Sequence, residues 1–360
     1  MSCTSPLYRI PDNSFDFKLL YNVDRKRLRN KGVFLPYEAL KAYEQLPLWR
    51  TDEVQVLPCG QCASCRLAYS RDWAVRCSLE AMYHDYNYFI TLTYDDAHLP
   101  RGEFIDYAGD MWDSNLCRRD VQLFLKQLRE WERTTNNNTG IKVFYCGEYG
   151  SERGRPHYHI CLFGASEIPD LSYRCTKGSY KYYKSMKYES FWSVRENGIS
   201  VPRGFVDISE CSFDTIAYTA RYCMKKQQGV MKREFLEYYN SLDPTDLPDL
   251  RTPCFIGMSL KPGIASQYWN ENKCQIKLED KVKYQKKFKL FTSRPPRYFD
   301  KLFDNEDPEG YSKVKERRKA SSIVSRRFKS SQFSESDLER MARENELVLS
   351  KEKKYRVRCL

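Results

Sequence analysis

Two of the chain's four histidines lie two positions apart in the segment Arg155-Pro156-His157-Tyr158-His159-Ile160-Cys161-Leu162-Phe163. The alternation around them and the apolar run that follows predict a β-strand. Because successive side chains of a strand point to opposite faces, His157 and His159 would share one face and Tyr158 would take the other. Two imidazoles on one rigid face form half of a metal site, although a pair of ordinary buried or surface histidines would give the same pattern.

A carboxylate that could complete such a site lies just upstream. Residues 141–150 read as another strand, and the turn-rich residues 151–156 would join the two strands as an antiparallel hairpin. Glu148, near the end of the first strand, would then lie beside the histidines. Two histidines and one carboxylate can hold a divalent cation from one side and leave its other side open to a phosphate. A solvated turn carboxylate is the alternative for Glu148.

A pair of possible nucleophiles follows in Ala217-Tyr218-Thr219-Ala220-Arg221-Tyr222-Cys223-Met224-Lys225-Lys226. In a helix, Tyr218 and Tyr222 are neighbours on one stripe, with Lys225 and Lys226 within the next turn. A free tyrosine has a pKa of about 10 and is a weak nucleophile at neutral pH, so nearby cations would assist it by favouring phenolate or stabilising charge on a phosphate. Tyrosines at this spacing are otherwise common as packing residues.

These residues resemble the motifs of a known family. His157-Tyr158-His159 is similar to the His-hydrophobic-His signature of the HUH endonucleases. Tyr218-x-x-x-Tyr222-x-x-Lys225-Lys226 resembles the two-tyrosine motif of the replication initiators of microviruses, which are small single-stranded DNA phages, and is closest to the gokushovirus branch. Phe89-Ile90-Thr91-Leu92-Thr93-Tyr94 resembles the first family motif, a core strand that is weak evidence alone. The resemblance covers about residues 66–270 in the family's motif order.

The resemblance implies a metal-dependent nickase that also joins strands in rolling-circle replication. In such enzymes one tyrosine attacks a DNA phosphodiester and keeps the 5′ phosphate, while Mg²⁺ or Mn²⁺ at the His-x-His site polarises that phosphate. The implied partners are single-stranded DNA, the viral origin, and a host helicase and polymerase. The implied compartment is the bacterial host's cytoplasm. Which tyrosine acts first stays open, as does a transposase or relaxase role with the same chemistry.

Charge and composition agree with a nucleic-acid partner. The 360 residues carry 60 Lys and Arg against 48 Asp and Glu, a net charge of +12, and residues 281–360 hold 23 basic and 12 acidic side chains, a net of +11. Such a tail would add salt-sensitive affinity for a polyanion, or it could be a solvated helical appendage. No segment has the Gly-x-x-x-x-Gly-Lys-Ser/Thr pattern of an ATP-driven motor. Apolar runs are too short for a membrane span, and the amino terminus lacks a signal peptide's apolar core.

The 14 cysteines include one group with metal-site spacing, Cys59-Gly60-Gln61-Cys62-Ala63-Ser64-Cys65. Three thiols in a glycine-containing loop resemble one half of a structural zinc site, for which Cys77 or His84 could supply the fourth ligand. Zn²⁺ is therefore a possible second metal. A third functional class follows from this cluster, namely a non-catalytic zinc-dependent DNA-binding protein.

Aromatic and basic residues interleave between the two chemical motifs, over residues 173–192. Aromatic faces stack on unpaired bases while cations follow phosphates, so Lys181, Tyr182, Tyr183 and Lys184 are candidate contacts for single-stranded DNA. The alternative is a loop that packs onto its own sheet.

The surrounding elements predict an α+β fold with a central antiparallel sheet, flanking helices and a helical C-terminal extension. Helices are expected near residues 67–84 and 121–131, the second capped by Asp120, and strands near 88–94 and 204–208. We expect an irregular N-terminal segment over residues 1–65, a catalytic domain over 66–270, and a basic, mostly helical region over 271–360, with Arg294-Pro295-Pro296-Arg297 as a break.

Overall fold

The structure is a computed structural model that describes residues 7–10, 33–35, 55–58, 62–150, 153–178, 180–222, 235, 239–240, 248–286, 289–331, 346–347 and 350. For some of these residues, including Tyr222, only the backbone is described. The chain divides into two compact units. One comprises residues 1–68 and 328–360, and the other comprises residues 69–327.

The strands and helices alternate along most of the described chain. The strands are β1 Leu7–Ile10, β2 Val33–Leu35, β3 Gln55–Leu57, β4 Asn87–Tyr94, β5 Arg101–Ile105, β6 Met111–Ser114, β7 Lys142–Tyr149, β8 Pro156–Phe163, β9 Ser172–Lys177, β10 Tyr180–Lys184, β11 Ser193–Glu196, β12 Ile199–Pro202, β13 Gly204–Glu210, β14 Asp249–Leu250, β15 Phe255–Met258, β16 Val282–Lys286 and β17 Lys289–Ser293. The helices are α1 Ala63–Ala81, α2 Arg118–Thr135, α3 Met186–Phe191, α4 Phe213–Tyr222, α5 Ser266–Glu279, α6 Arg297–Glu306 and α7 Pro308–Ser331.

The first unit contains a small antiparallel sheet in its N-terminal segment. Its three described strands lie in the order β2-β1-β3. The prediction of an irregular segment was therefore wrong for these strands. They are only three or four residues long, so they carry too little alternation to be recognised in the sequence.

A seven-stranded sheet forms the centre of the second unit, in the order β15-β7-β8-β4-β13-β10-β9. Every pair of neighbouring strands in it is antiparallel. The α+β prediction with a central antiparallel sheet and flanking helices is thereby confirmed. β8, which carries His157 and His159, lies between β7 and β4 and is thus held by backbone hydrogen bonds on both sides.

One face of this sheet, which we name the apolar face, is fully covered. Alternation sends Ile90 and Leu92 of β4 and Tyr158 of β8 to this face, and all three are buried. They join one hydrophobic cluster with the apolar stripe of α2 and the aromatic side chains of α3. The α2 stripe consists of Val121, Phe124, Leu125 and Leu128, which are spaced at the three- and four-residue intervals of a helix.

The predicted cap of α2 was wrong. The helix begins at Arg118 with Cys117 as its N-cap, and Asp120 lies inside the first turn. Asp120 instead accepts a 2.6 Å hydrogen bond from the Tyr94 hydroxyl and pairs with Arg203 at 3.1 Å. A short carboxylate that has buried partners from distant strands satisfies them rather than the helix end, and the sequence does not reveal those partners.

The opposite face of the sheet, which we name the site face, is covered by helices at one end only. Trp73 and Cys77 of α1, and Ile216 and Ala220 of α4, form a hydrophobic cluster with the strands beneath them. Trp73 stacks on Phe144 of β7 at 4.6 Å between ring centroids. This packing places α4, the helix that contains the two predicted tyrosines, on the same face as the histidines.

The predicted insertion over residues 173–192 folds mainly as part of the same sheet. β9 and β10 form a hairpin that continues the sheet beyond β13, and α3 follows it. A bulge between Tyr182 and Tyr183 interrupts the register of the hairpin. The segment is therefore an extension of the sheet that carries the histidines.

The C-terminal region is mostly helical in its described part, as predicted, and α6 begins at Arg297 directly after the Pro-Pro break. An antiparallel hairpin of β16 and β17 interrupts it, which the sequence analysis did not predict. These elements pack with α1 and α5 in a separate hydrophobic cluster that includes Val282, Phe299 and Val314. Among the described residues, no helix is both long and apolar enough to span a membrane.

Candidate active site

Two rows of side chains cross the centre of the site face, because register partners on antiparallel strands share a face. The first row runs Glu148, His157, Thr93 and Phe205 across β7, β8, β4 and β13. The second row runs Cys146, His159, Thr91 and Asp207 across the same strands. The sequence-predicted pairing of His157 with His159 on one face, with Glu148 beside them, is how the structure arranges these residues.

Each histidine is held through the same ring nitrogen by a threonine of the neighbouring strand. Nδ1 of His159 lies 3.1 Å from Oγ1 of Thr91, and Nδ1 of His157 lies 3.2 Å from Oγ1 of Thr93. Phe89 also stacks on the His159 ring at 5.5 Å between centroids. A partner at Nδ1 fixes the orientation of an imidazole and directs its Nε2 towards a ligand. The two threonines therefore act as positioning groups for the pair.

Glu148 joins the histidine pair as a buried carboxylate, with only 3% of its surface exposed. Its Oε1 lies 2.8 Å from Nε2 of His159. Its Oε2 is buried and has no hydrogen-bond partner among the described residues. A buried carboxylate oxygen without a partner is costly, so this atom is suited to a cation or a proton donor from a ligand.

The environment of His157 keeps its imidazole neutral. Burial lowers the pKa of His157 to about 4, and the positive charges of His159 and Arg155 act in the same direction. At neutral pH the ring therefore carries no charge and one nitrogen retains its lone pair. The neutral form is the one that binds a metal.

Tyr218 reaches this group from α4. Its hydroxyl donates a hydrogen bond to Oε1 of Glu148 at 3.3 Å, and its ring meets the His159 ring edge-on at 5.2 Å. The phenol, the imidazole and the carboxylate thus meet at one point of the site face. Tyr218 is half-buried, so its phenol is not sealed within the core.

The start of α4 explains why the tyrosine helix is anchored at this position. Ser212 and Thr215 cap the helix reciprocally, because the Thr215 N–H donates to Oγ of Ser212 at 3.3 Å and the Ser212 N–H donates to Oγ1 of Thr215 at 2.8 Å. The Ser70 hydroxyl of α1 donates to the carbonyl of Ala217 at 2.7 Å. These contacts fix the helix on both its preceding turn and its flank.

The turn before the histidine strand is also held from outside. Gly154 has a φ of +60°, and a Cβ there would lie 2.4 Å from the Trp112 ring, so glycine is required. Arg251 donates to the carbonyl of Gly154 at 2.7 Å. Its guanidinium lies 3.9 Å from the Trp112 ring centre and 3.6 Å from that of Tyr149. This packing sets the entry of the chain into β8.

Several predicted catalytic groups fall where the structure says less. Tyr222 is the last residue of α4, one turn beyond Tyr218, and only its backbone is described. Lys225 and Lys226 lie outside the described residues. Their predicted roles stay predictions.

The donor set fits a divalent cation in residue type and protonation, although the side chains are not gathered around one point. In the part of the chain that the structure describes, no three His, Cys, Asp or Glu side chains already form a closed ligand cluster. The observations in favour are the neutral His157, the two threonines at Nδ1 and the partnerless Oε2 of Glu148. His157, His159 and Glu148 are the residues that would hold the ion.

The predicted DNA contacts on β10 divide between the two faces of the sheet. Tyr183 pairs in register with Ile208 and packs against the cluster on the apolar face. By alternation, Lys181 shares that side while Tyr182 and Lys184 share the site face. Lys177 of β9 lies 5.7 Å from the Tyr182 ring centre.

The predicted zinc cluster is described only in part. Cys59 lies outside the described residues, whereas Cys62 and Cys65 stand at the start of α1 and are half-buried. Of the two candidates for a fourth ligand, Cys77 is buried in the cluster beneath the sheet, and Nε2 of His84 lies 2.8 Å from Glu80. Zinc binding stays a prediction.

Sequence reasoning missed the roles of Thr91 and Thr93, which it assigned to a core strand. A usable signal was present, because their i, i+2 spacing matches that of the histidines. Only the register between β4 and β8 places each threonine beside one histidine, and register is not visible in the sequence.

Comparison with known proteins agrees with this arrangement. The family model of the replication-associated protein ORF2 matches residues 87–227, which begin at β4 and continue beyond α4. The chain is 33% identical over 258 residues to the replication-associated protein ORF2 of Spiroplasma virus 4, covering 69% of this chain and 68% of that protein. No solved structure matches the chain.

Two phage proteins are similar over a shorter part of the chain. The replication-associated protein ORF4 of Chlamydia phage 1 is 31% identical over 175 residues, covering 47% of this chain and 38% of that protein. The replication-associated protein VP4 of Bdellovibrio phage phiMH2K is 29% identical over 174 residues, covering 47% of this chain and 48% of that protein.

An antiparallel sheet that presents two histidines, a carboxylate and a helix-borne tyrosine, within a segment that matches a replication family, defines the class as phage replication-associated proteins. The chain belongs to the replication-associated protein ORF2 family. The resemblance to microvirus replication proteins, first inferred from the motifs, is thereby confirmed.

Proposed function

We propose that this protein is a replication initiator that nicks single-stranded origin DNA through a tyrosine and later rejoins the ends. The observation that carries the proposal is the meeting of Tyr218 with Glu148 and His159 on the site face. A nucleophilic hydroxyl beside a carboxylate and an imidazole is an arrangement that suits phosphoryl transfer. Family membership supports the same assignment.

The proposed chemical step uses the Tyr218 phenol as nucleophile. As its oxygen bonds to phosphorus, the phenol proton passes to the Glu148 carboxylate, which already accepts its hydrogen bond. The bond between phosphorus and the 3′ oxygen breaks, and that oxygen takes a proton from water. The DNA is left with a free 3′ hydroxyl and a 5′ phosphate esterified to the tyrosine.

The phosphotyrosine ester conserves the energy of the phosphodiester bond. A 3′ hydroxyl can therefore attack it in the reverse direction and join two ends without ATP. Tyr222, one helical turn from Tyr218, would provide a second nucleophile that cuts a regenerated origin while the first tyrosine still holds an end. This is the role that we propose for the pair.

A divalent cation, Mg²⁺ or Mn²⁺, would polarise the scissile phosphate and stabilise its developing negative charge. His157, His159 and Glu148 would bind it, and Thr91 and Thr93 would orient the two imidazoles. The proposed partners are single-stranded DNA with the viral origin, together with a host helicase and polymerase. The proposed place of action is the cytoplasm of the bacterial host.

The test is covalent trapping of the protein on DNA. Wild-type protein would be incubated with overlapping single-stranded oligonucleotides from the genome that encodes it, with Mg²⁺ or Mn²⁺, and resolved under denaturing conditions. We expect a covalent adduct that a chelator abolishes, and peptide mapping should place the DNA on Tyr218 or Tyr222. The Tyr218→Phe, Tyr222→Phe double variant should bind the same DNA and form no adduct.

Tyr173→Phe is the matched control, because Tyr173 is an exposed tyrosine of the same sheet and should leave the adduct unchanged. An adduct that persists in the double variant would remove both tyrosines from the mechanism. If the wild type never forms an adduct with either metal but still binds the DNA, a non-catalytic binding function would replace the proposal.

A further inference from the structure

Phe205 is an exposed aromatic residue in line with the candidate active site. It is the register partner of Thr93, which is in turn the partner of His157, so it stands two strands away from the histidine on the same face. At the usual strand spacing this separation is roughly 10 Å. Phe205 is 54% exposed, whereas its neighbour Val206 is 1% exposed on the opposite face.

The exposure of Phe205 is not required by the core. β13 buries Val206 and Ile208 in the cluster on the apolar face, and Phe205 belongs to none of the hydrophobic clusters of the described residues. A large aromatic ring left in water at an outward-facing strand position loses the stabilisation that burial would give it. Such a ring is suited to a flat ligand.

A guanidinium lies beside this ring. Arg174 of β9 reaches across β10, and its Cζ lies 5.9 Å from the Phe205 ring centre. It forms an ion pair with Asp207, the site-face residue two positions after Phe205. This pair holds the planar cation over the site face. Lys177, on the same hairpin, contacts the Tyr182 ring and adds positive charge beyond it.

We propose that Phe205 and Arg174 form a stacking subsite for an unpaired nucleobase close to the scissile phosphate. The inference rests on the proposed function, and it names a binding site beyond the nicking residues. Every base has a flat π-face, so the aromatic ring would hold a base of any sequence, and the guanidinium would cover the base or contact its phosphate. Stacking at this position would fix the strand relative to the histidines.

The test separates base stacking from backbone attraction. Affinity would be measured by fluorescence anisotropy, with chelator present to prevent cleavage, for a labelled oligodeoxythymidylate and for an abasic oligodeoxynucleotide of the same length. We expect Phe205→Ala to weaken binding of the thymidylate roughly 10-fold and to leave binding of the abasic strand unchanged. Phe205→Tyr should restore the wild-type affinity because it restores a ring.

Tyr173→Ala is the matched control, since Tyr173 is an exposed aromatic residue of the adjoining hairpin whose register partner, Tyr183, packs on the apolar face. It should bind both strands as the wild type does. Equal loss on both strands, or no loss on either, would overturn the stacking subsite. Since this readout needs no cleavage, it is independent of adduct formation: a subsite can fail while nicking stands, or hold while nicking fails.

Discussion

At the scale of single residues, the nitrogen that each histidine presents is set by a threonine on the next strand. The paired contacts of Thr91 with His159 and of Thr93 with His157 repeat the same geometry at two successive rows of the sheet. A hydroxyl at Nδ1 leaves Nε2 as the nitrogen for a ligand. Because the contacts lie outside the reacting groups, their effect can be measured separately from catalysis.

We expect Thr91→Val and Thr93→Val each to weaken Mn²⁺ binding by about 10- to 100-fold, which is the usual effect of losing a partner of a ligating histidine. Thr→Ser at either position should restore binding because it restores the hydroxyl. Isothermal titration calorimetry with Mn²⁺ measures this directly. Thr176→Val on the exposed surface of β9 is the control for loss of a hydroxyl. Unchanged affinity in both valine variants would contradict the positioning role.

The residue-scale predictions succeeded where a short-range rule was sufficient. Strand alternation placed His157 and His159 on one face, and hairpin pairing placed Glu148 beside them. The contribution of Tyr218 could be suggested but not located, because its contact with Glu148 spans 70 positions in the sequence. That contact depends on how α4 packs against the sheet, which no local pattern contains.

At the scale of elements, a buried carboxylate joins three parts of the second unit. Glu80 of α1 is 1% exposed. It lies 2.8 Å from Nε2 of His84 and 2.9 Å from Nζ of Lys142 at the start of β7, and it accepts a 2.6 Å hydrogen bond from the N–H of Ala265 before α5. Burial raises the pKa of the Glu80 carboxyl, but the hydrogen bonds from His84, Lys142 and Ala265 outweigh it and leave the pKa below the ordinary 4.5.

Glu80→Gln should therefore destabilise the protein by about 3 kcal/mol near neutral pH, because it leaves the buried ammonium of Lys142 without its counter-charge. A carboxylate with a depressed pKa contributes stability above its unfolded-state pKa and loses it as pH falls through the folded value. The difference between wild type and variant should thus shrink as the pH drops below 4.5. Urea unfolding followed by circular dichroism at several pH values measures it.

The exposed Glu103 provides the comparison for that experiment. Glu103→Gln removes the same charge from a solvated strand and should change stability by less than about 0.5 kcal/mol at any pH. A Glu80 variant that behaves like the Glu103 variant would mean that the cluster does not hold α1, β7 and α5 together.

Element prediction failed where partners rather than propensity decide the structure. The hairpin of β9 and β10 extends the central sheet because the edge of β13 accepts it, and the hairpin of β16 and β17 forms in a region whose composition favours helix. Asp120 was expected to cap α2, but Tyr94 and Arg203 bind it instead. In each case a long-range contact replaced the local preference.

At the scale of the whole molecule, the net charge of +12 predicts salt-dependent binding to DNA. Part of the positive charge is already neutralised within the fold: the Arg318 guanidinium of α7 is held by both Asp280 and Asp300. Lys313, Arg317 and Lys319 on the same helix are exposed. They decide between a helix that contacts DNA and one that is merely solvated.

We expect replacement of Lys313, Arg317 and Lys319 by Gln to reduce the slope of log affinity against log salt by up to about 2 on single-stranded DNA, since each phosphate contact contributes roughly 0.7 to that slope. Fluorescence anisotropy across a salt series measures it. The matched control replaces Arg119, Lys126 and Arg129, which are exposed on α2 over the apolar face. If both triple variants lower the slope equally, net charge alone accounts for the attraction. If only the α7 variant does so, DNA follows a defined path over that helix, and an unchanged slope in both would leave α7 as a solvated face.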